Sequence, residues 1–145
     1  MSDRGREIEQ FGVIAWRFAS GGGVEILLIT SRDTRRWVVP RGNVIPGLRP
    51  YDNAAQEAFE EAGVRGGVQQ DEFGTYRYDK RARDGRATPA LVHLYAMLVT
   101  EEADAWPEQK ERERRWFAAD SAAAAVDEAD LAQLIRDFVA IVTKA

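Results

Sequence analysis

The stretch "RGNVIPGLRPYDNAAQEAFEEAGV", Arg41 to Val64, decides how this chain is read. Pro50 suits the first turn of a helix, where a missing N–H costs nothing. Gly63 suits the residue just past a helix end, where a left-handed backbone is wanted. These marks predict a helix over 50–62, preceded by a loop built on Gly42 and Gly47. At about 100° per residue, Glu60 and Glu61 lie roughly 60° to one side and roughly 40° to the other side of Glu57. Tyr51, Ala55, Ala58, Phe59 and Ala62 fall on the opposite side as an apolar stripe. Each exposed pair of like charges at these spacings costs about 0.2–0.5 kcal/mol, and no Lys or Arg within the helix offsets it. One reading is a solvated acidic face that tolerates this cost. The other is a divalent-cation site, since Mg²⁺ takes a few hard carboxylate oxygens and shares itself with substrate phosphates. Crowded carboxylates also shift one another's pKa, so one can serve as a proton acceptor. Gly42 and Gly47 permit turns that bring a main-chain carbonyl or N–H to the same cation or phosphate.

Upstream, "FGVIAWRF" and "VEILLIT" are apolar and β-branched, with "ASGGG" between them. They read as a two-stranded hairpin. "RWVVP" reads as a short strand that Pro40 stops. Downstream, "FGTYRYDKR" and "ATPALVHLYAMLVT" flank the turn pair Asp84-Gly85. Leu91 to Val99 is apolar nearly throughout, as a central strand buried on both faces would be. "RRWF" is a further short strand, and 121–126 a short Ala-rich helix. Leu131, Leu134, Ile135, Phe138, Ile141 and Val142 recur at helical spacing, which predicts a C-terminal amphipathic helix. The order is β-β-β-helix-β-β-β-helix, and the expected class is α/β, a mixed sheet with helices on both faces.

With 145 residues the chain fits one domain over 1–145. A chain of that length buries about 70% of its unfolded surface, so it needs no disulfide or metal merely to fold. Residues 1–9 read as a flexible tail without an apolar signal core, and a cytoplasmic protein is expected. No apolar run approaches the ~20 residues of a membrane span. The absence of cysteine rules out disulfides, thiolate catalysis and Cys-based zinc sites. A net charge of −4 gives no global pull towards nucleic acid. Basic residues nevertheless bunch at 31–36 and 80–86, and acidic ones at 57–61 and 101–113. Such neighbouring clusters suit an anionic substrate beside a cation, or ordinary solvated surface.

Gly42, Glu57, Glu60, Glu61, Gly63 and Val64 fall at the spacings of the Nudix box, G-x5-E-x7-R-E-U-x-E-E-x-G-U with U aliphatic. The stretches "SRDTRRWVVPRG" and "DAWPEQKERERRWF" resemble the diphosphoinositol polyphosphate and diadenosine polyphosphate hydrolase branch of that family. The resemblance implies a Nudix-type α/β/α sandwich and hydrolysis of a diphosphate linkage assisted by Mg²⁺ or Mn²⁺. It implies Glu57, Glu60 and Glu61 as catalytic metal ligands, with the backbone carbonyl of Arg41 as a further ligand. A distant-loop glutamate adds another in some members; Glu108, Glu111 or Glu113 could do so here. Two positions depart: the family's first Glu is Leu48, and its Arg is Gln56. Losing both members of that pair leaves no orphan charge, whereas losing one would cost several kcal/mol. Gln56 retains a donor.

Arg17, Arg32, Arg36 and Arg41 then become candidates for phosphate oxygens, which the planar guanidinium matches bidentately. Gly42 joins them through its backbone. Lys80, Arg81, Arg83 and Arg86 either close over the substrate or form a solvated hairpin tip. His93, Trp37 and Trp116 are expected to be structural, and Trp106 either stacks on a base or packs its loop. A polyphosphorylated small molecule is the expected substrate, with no membrane or nucleic-acid partner, for a monomer or homodimer. Three alternatives stand beside this: a Nudix-fold polyphosphate-binding module with weakened or lost catalysis, hydrolysis of other nucleoside diphosphate derivatives, and hydrolysis of RNA ends, against which the acidic balance and missing basic stripe argue.

Overall fold

The computed structural model describes residues 7–82 and 84–144. Eight strands form one mixed sheet: β1 (Ile8–Phe18), β2 (Val24–Thr30), β3 (Trp37–Val38), β4 (Arg41–Asn43), β5 (Val64–Val68), β6 (Gly74–Arg81), β7 (Ala87–Glu102) and β8 (Arg114–Ala118). Among the described residues three helices complete the fold: α1 (Pro50–Ala62), α2 (Ala119–Ala125) and α3 (Ala129–Thr143). β1 and β7 run parallel at the centre, from Ile8 opposite Ala90 to Trp16 opposite Leu98. The other strand pairs are antiparallel.

The expected hairpin, α1, α2 and α3 all form, and the class is the expected α/β/α sandwich. α1 packs on one face over Phe11, Val13, Leu27, Ile29 and Met97. α2 and α3 cover the other face over Ile14, Ile26, Leu28, Val92 and Leu94. No described helix is long and apolar enough to cross a membrane.

Several expectations need correction. The presumed tail already carries Ile8 and Glu9 in β1, and residues 1–6 lie outside the described residues. β4 and β5 were unmarked in the sequence, because "RGN" and "VRGGV" are short and glycine-bearing, a weak strand signal. Their pairing comes from long neighbours: β4 lies along β1 and β5 along β7. The strand over Leu91–Val99 is fully buried only in part, and Leu98 is 38% exposed. Ile141 also points outward, at 60% exposure, leaving Leu131, Ile135 and Phe138 as the buried face of α3.

The core stripe of α1 sets which of its carboxylates are buried. Ala54, Ala58 and Ala62 are fully buried, at i,i+4 spacing. The large side chains Tyr51 and Phe59 are only partly buried. Small side chains let the helix backbone approach the sheet, so the alanine row turns inward. Glu61 lies beside that row and is itself buried, at 7% exposure. The acidic and core faces therefore adjoin; they do not oppose one another.

Candidate active site

The loop after β2, strand β4, helix α1, the end of β6 and the loop 103–113 surround a cleft of about 590 Å³. Glu57, Glu61 and Glu108 line it, as do Arg32, Arg36, Arg41, Gly42, Lys80 and Arg81. Of the expected site residues that are described, Glu60, Arg17, Arg86, Glu111 and Glu113 do not.

Glu61 is held from two sides. Its Oε1 accepts the backbone N–H of Arg41 at 3.1 Å, and its Oε2 lies 3.4 Å from an Arg112 guanidinium nitrogen. Arg112 also donates to Glu108 at 2.8 Å and to the Thr30 carbonyl at 3.2 Å. Glu57 lies directly over Gly42: a Cβ there would meet Glu57 Oε1 at 2.1 Å. Glycine at this position makes room for the carboxylate. Glu60 turns outward, and its Oε2 accepts the Gln56 amide at 2.6 Å. Leu48 is 41% exposed. The departure at Gln56 thus gives Glu60 a neutral donor.

Burial pushes the Glu57 carboxyl up to about 7, and the charges of Glu60 and Glu108 push the same way. Burial also pushes Glu61 up to about 7, against the pull of Arg112 and of the Arg41 N–H. Both carboxyls bind protons in the folded state, between about 4.5 and about 7, that the unfolded chain has released. Stability of the metal-free protein is therefore expected to fall as pH rises through that window, then level off. Thermal melting in chelator from pH 5 to 8 checks this, and Glu61→Gln should show a shallower decline than wild type. Equal declines would remove Glu61 from the explanation.

Hard oxygen donors crowded against burial and like charge suit a divalent cation, which relieves both. Glu57, Glu61 and Glu108 supply that donor chemistry here. Among the described residues, no three acidic or histidine side chains are already gathered closely enough to hold a metal. Glu60, hydrogen-bonded to Gln56, stands outside the converging group.

The basic side chains divide sharply. Arg17 bonds Glu25 at 2.7 Å and Glu102 at 3.1 Å and stacks 4.0 Å over Trp116, away from the cleft. The hairpin register explains this, since it sets Arg17 directly opposite Glu25. Arg32 pairs with Glu111 at 3.0 Å. Arg36 reaches Glu128 at 2.7 Å and Asp127 at 3.8 Å. Glu113 pairs with Arg115, and Arg86 with Asp84. Arg83 lies outside the described residues. Among the described residues, Arg41, Lys80 and Arg81 have no acidic partner. The Arg41 guanidinium lies 4.0 Å over the Tyr78 ring, and its Nε is buried without a hydrogen-bond partner.

Sequence reasoning missed Arg112, whose stretch of alternating charges does not distinguish it from its neighbours. It also missed Gln10, Asn43 and Tyr78. Gln10 donates to Asn43 at 2.8 Å and accepts from the Tyr78 hydroxyl at 2.8 Å, bracing the cleft floor. His93 sits between Glu9 and Glu72, stacked on Phe11, and does not line the cleft.

The family model for the NUDIX domain matches residues 9–138. This chain belongs to the Nudix family. Its Nudix box is the stretch from Gly42 to Val64, and its Nudix helix is α1. Among relatives, Nudix hydrolase 13, mitochondrial, from Arabidopsis thaliana is 32% identical over 99 residues, covering 65% of this chain and 49% of the relative. Diphosphoinositol polyphosphate phosphohydrolase 2 from Rattus norvegicus is 33% identical over 101 residues, covering 68% and 52%. The chain thus spans about half the length of these relatives. An Ap4A hydrolase from C. elegans, solved as a binary complex, superposes with a TM-score of 0.70 at 22% identity. It covers 95% of this chain and 99% of the other, a likeness of fold.

Proposed function

We propose that this Nudix domain hydrolyses a phosphoanhydride link in a polyphosphorylated small molecule. The observation that carries this reading is one cleft holding both kinds of group the chemistry needs. The crowded carboxylates Glu57 and Glu61 stand on one wall, and the acid-free cations Arg41, Lys80 and Arg81 on another. Glu57 and Glu61, with the Arg41 carbonyl, would hold Mg²⁺ or Mn²⁺, and Glu60 would join them by turning from Gln56 into the cleft; Glu108 is the loop carboxylate best placed to complete the set. Such an ion, when bound, neutralises phosphate charge and lowers the pKa of an attacking water. Arg41, with its buried and unpartnered Nε, would orient the phosphate that is attacked. A cleft carboxylate with a pKa near 7 is suited to accept the water's proton at neutral pH.

Diphosphoinositol polyphosphate and diadenosine polyphosphate are the two substrate types in view. Among the described lining residues the only aromatic ring, Tyr78, is covered by Arg41. Those residues thus offer no open aromatic face to a base, which favours a densely phosphorylated, base-free substrate. The outward turn of Glu60 favours a second reading, a polyphosphate-binding module without turnover. A cytoplasmic monomer or homodimer completes the proposal.

The test is a panel of diphosphoinositols, dinucleoside polyphosphates, nucleotide sugars and nucleoside triphosphates, offered with Mg²⁺ or Mn²⁺ and read by chromatography of products. Binding without turnover of any member would decide for the second reading. Arg41→Gln removes charge-assisted bonds to phosphate, each worth about 1.5–3 kcal/mol. It is expected to raise KM about 10–100-fold; an unchanged KM would remove Arg41 from the phosphate site.

A further inference from the structure

One loop closes the C-terminal end of the Nudix helix. The last carbonyls of any helix lack partners within it, and here each is met in turn. Phe59 O accepts the Gly63 N–H at 2.9 Å, and Glu60 O accepts the Glu108 N–H at 3.0 Å. Glu61 O accepts the Trp106 indole N–H at 3.2 Å. Ala62 O accepts from Arg114 at 2.9 Å, and Gly63 O accepts the Ala103 N–H at 2.8 Å. The last turn of α1 has no basic residue of its own. Arg114 brings the positive charge that a helix C-terminus favours, with its guanidinium 4.0 Å over the Trp106 ring. That ring leaves no space over Gly63: a Cβ there would lie 2.6 Å from it, and φ is +68°.

The same loop delivers Glu108 and Arg112 to the cleft. Glu61 is therefore gripped twice, its carbonyl by Trp106 and its carboxylate by Arg112 and the Arg41 N–H. We propose that Trp106 is a positioning residue, whose indole N–H on the Glu61 carbonyl joins the helix and the loop 103–113 into one unit that aims Glu61 and Glu108 at a shared cation. The inference rests on the cation site proposed above. Releasing the bond loosens both carboxylates together, while the cationic side chains of Arg41, Lys80 and Arg81 project from β4 and β6, outside the unit. Metal affinity and kcat should change, and substrate KM should not.

Trp106→Phe keeps a ring on Gly63 and under Arg114 but removes the donor. Benzothienylalanine incorporated at position 106 keeps the full bicyclic shape and also lacks the N–H. Mn²⁺ affinity is measured by calorimetry, with kcat and KM on the best panel substrate and melting temperature in chelator. Both replacements are expected to weaken Mn²⁺ binding about 10-fold, as losses of groups that orient metal ligands do. They should lower kcat at limiting Mn²⁺ and leave KM unchanged, and the benzothienyl protein should melt as wild type does. Wild-type Mn²⁺ affinity in the benzothienyl protein would overturn the positioning role and leave the cation site standing. Wild-type protein that binds no Mn²⁺ would overturn both. Mn²⁺ binding without turnover in wild type would sink the hydrolase reading alone, and the affinity comparison would still decide the role of Trp106.

Discussion

Glu61→Gln is expected to lower turnover by on the order of 10²–10⁴-fold, the range for losing a positioned acid–base group, while leaving the protein folded. The two effects separate because Glu61 is buried and its carboxyl is pushed up to about 7. At pH 8 the folded protein carries a charge there that burial opposes. Glutamine is nearly isosteric, still accepts the Arg41 N–H through its amide oxygen, and removes that buried charge. Arg112 keeps Glu108 at 2.8 Å and the Thr30 carbonyl, so it is not left unpaired. Metal-free Glu61→Gln should therefore melt at or above the wild-type temperature at pH 8, with turnover nearly gone. Full turnover in the variant would remove Glu61 from the site. A large fall in melting temperature would mean that its pairing with Arg112 outweighs its desolvation.

Gly42→Ala is expected to be nearly as damaging to turnover, about 10²-fold or more by the same acid–base range, without touching a charged atom. The added Cβ would stand 2.1 Å from Oε1 and 2.2 Å from Cδ of Glu57. Real contacts do not come so close, and the atoms that give way are the far end of a flexible side chain. Gly42 is absent from the positive-φ glycines, so alanine suits its backbone. The pairing of Phe11 with Gly42 in the β1–β4 ladder can persist. The Glu57 carboxylate should swing out of the cleft while the melting temperature moves by only a few degrees. Parallel kinetics and melting on Gly42→Ala and Glu57→Gln check this. Turnover preserved in Gly42→Ala and lost in Glu57→Gln would show that Glu57 works from another position.

The local chemistry of the decisive stretch was legible in advance. Proline and glycine carry their conformational preferences wherever they stand, so both ends of α1 could be read from Pro50 and Gly63. The spacing of Gly42, Glu57, Glu60 and Glu61 is a property of the chain alone, and it carried the family. The inward face of α1 was less legible. An apolar stripe centred on Tyr51, Phe59 and the alanines overlooked how closely a row of small side chains approaches a sheet. That approach draws Glu61 into the interior and leaves Glu60 outside.

The basic residues make the contrast plainest. In sequence, Arg17, Arg32, Arg36 and Arg41 are four equivalent guanidiniums. In the fold, Arg36 meets Glu128, 92 residues away, and Arg17 meets Glu102, 85 residues away. The Arg41 guanidinium alone of the four meets no carboxylate among the described residues and turns to Tyr78. Residue types and spacings set by themselves the helix, the hairpin, the carboxylate count and the family. Charge pairing and burial depend on contacts between distant segments, so only the tertiary structure decided which carboxylates face the cleft and which arginine side chain is left there without a carboxylate.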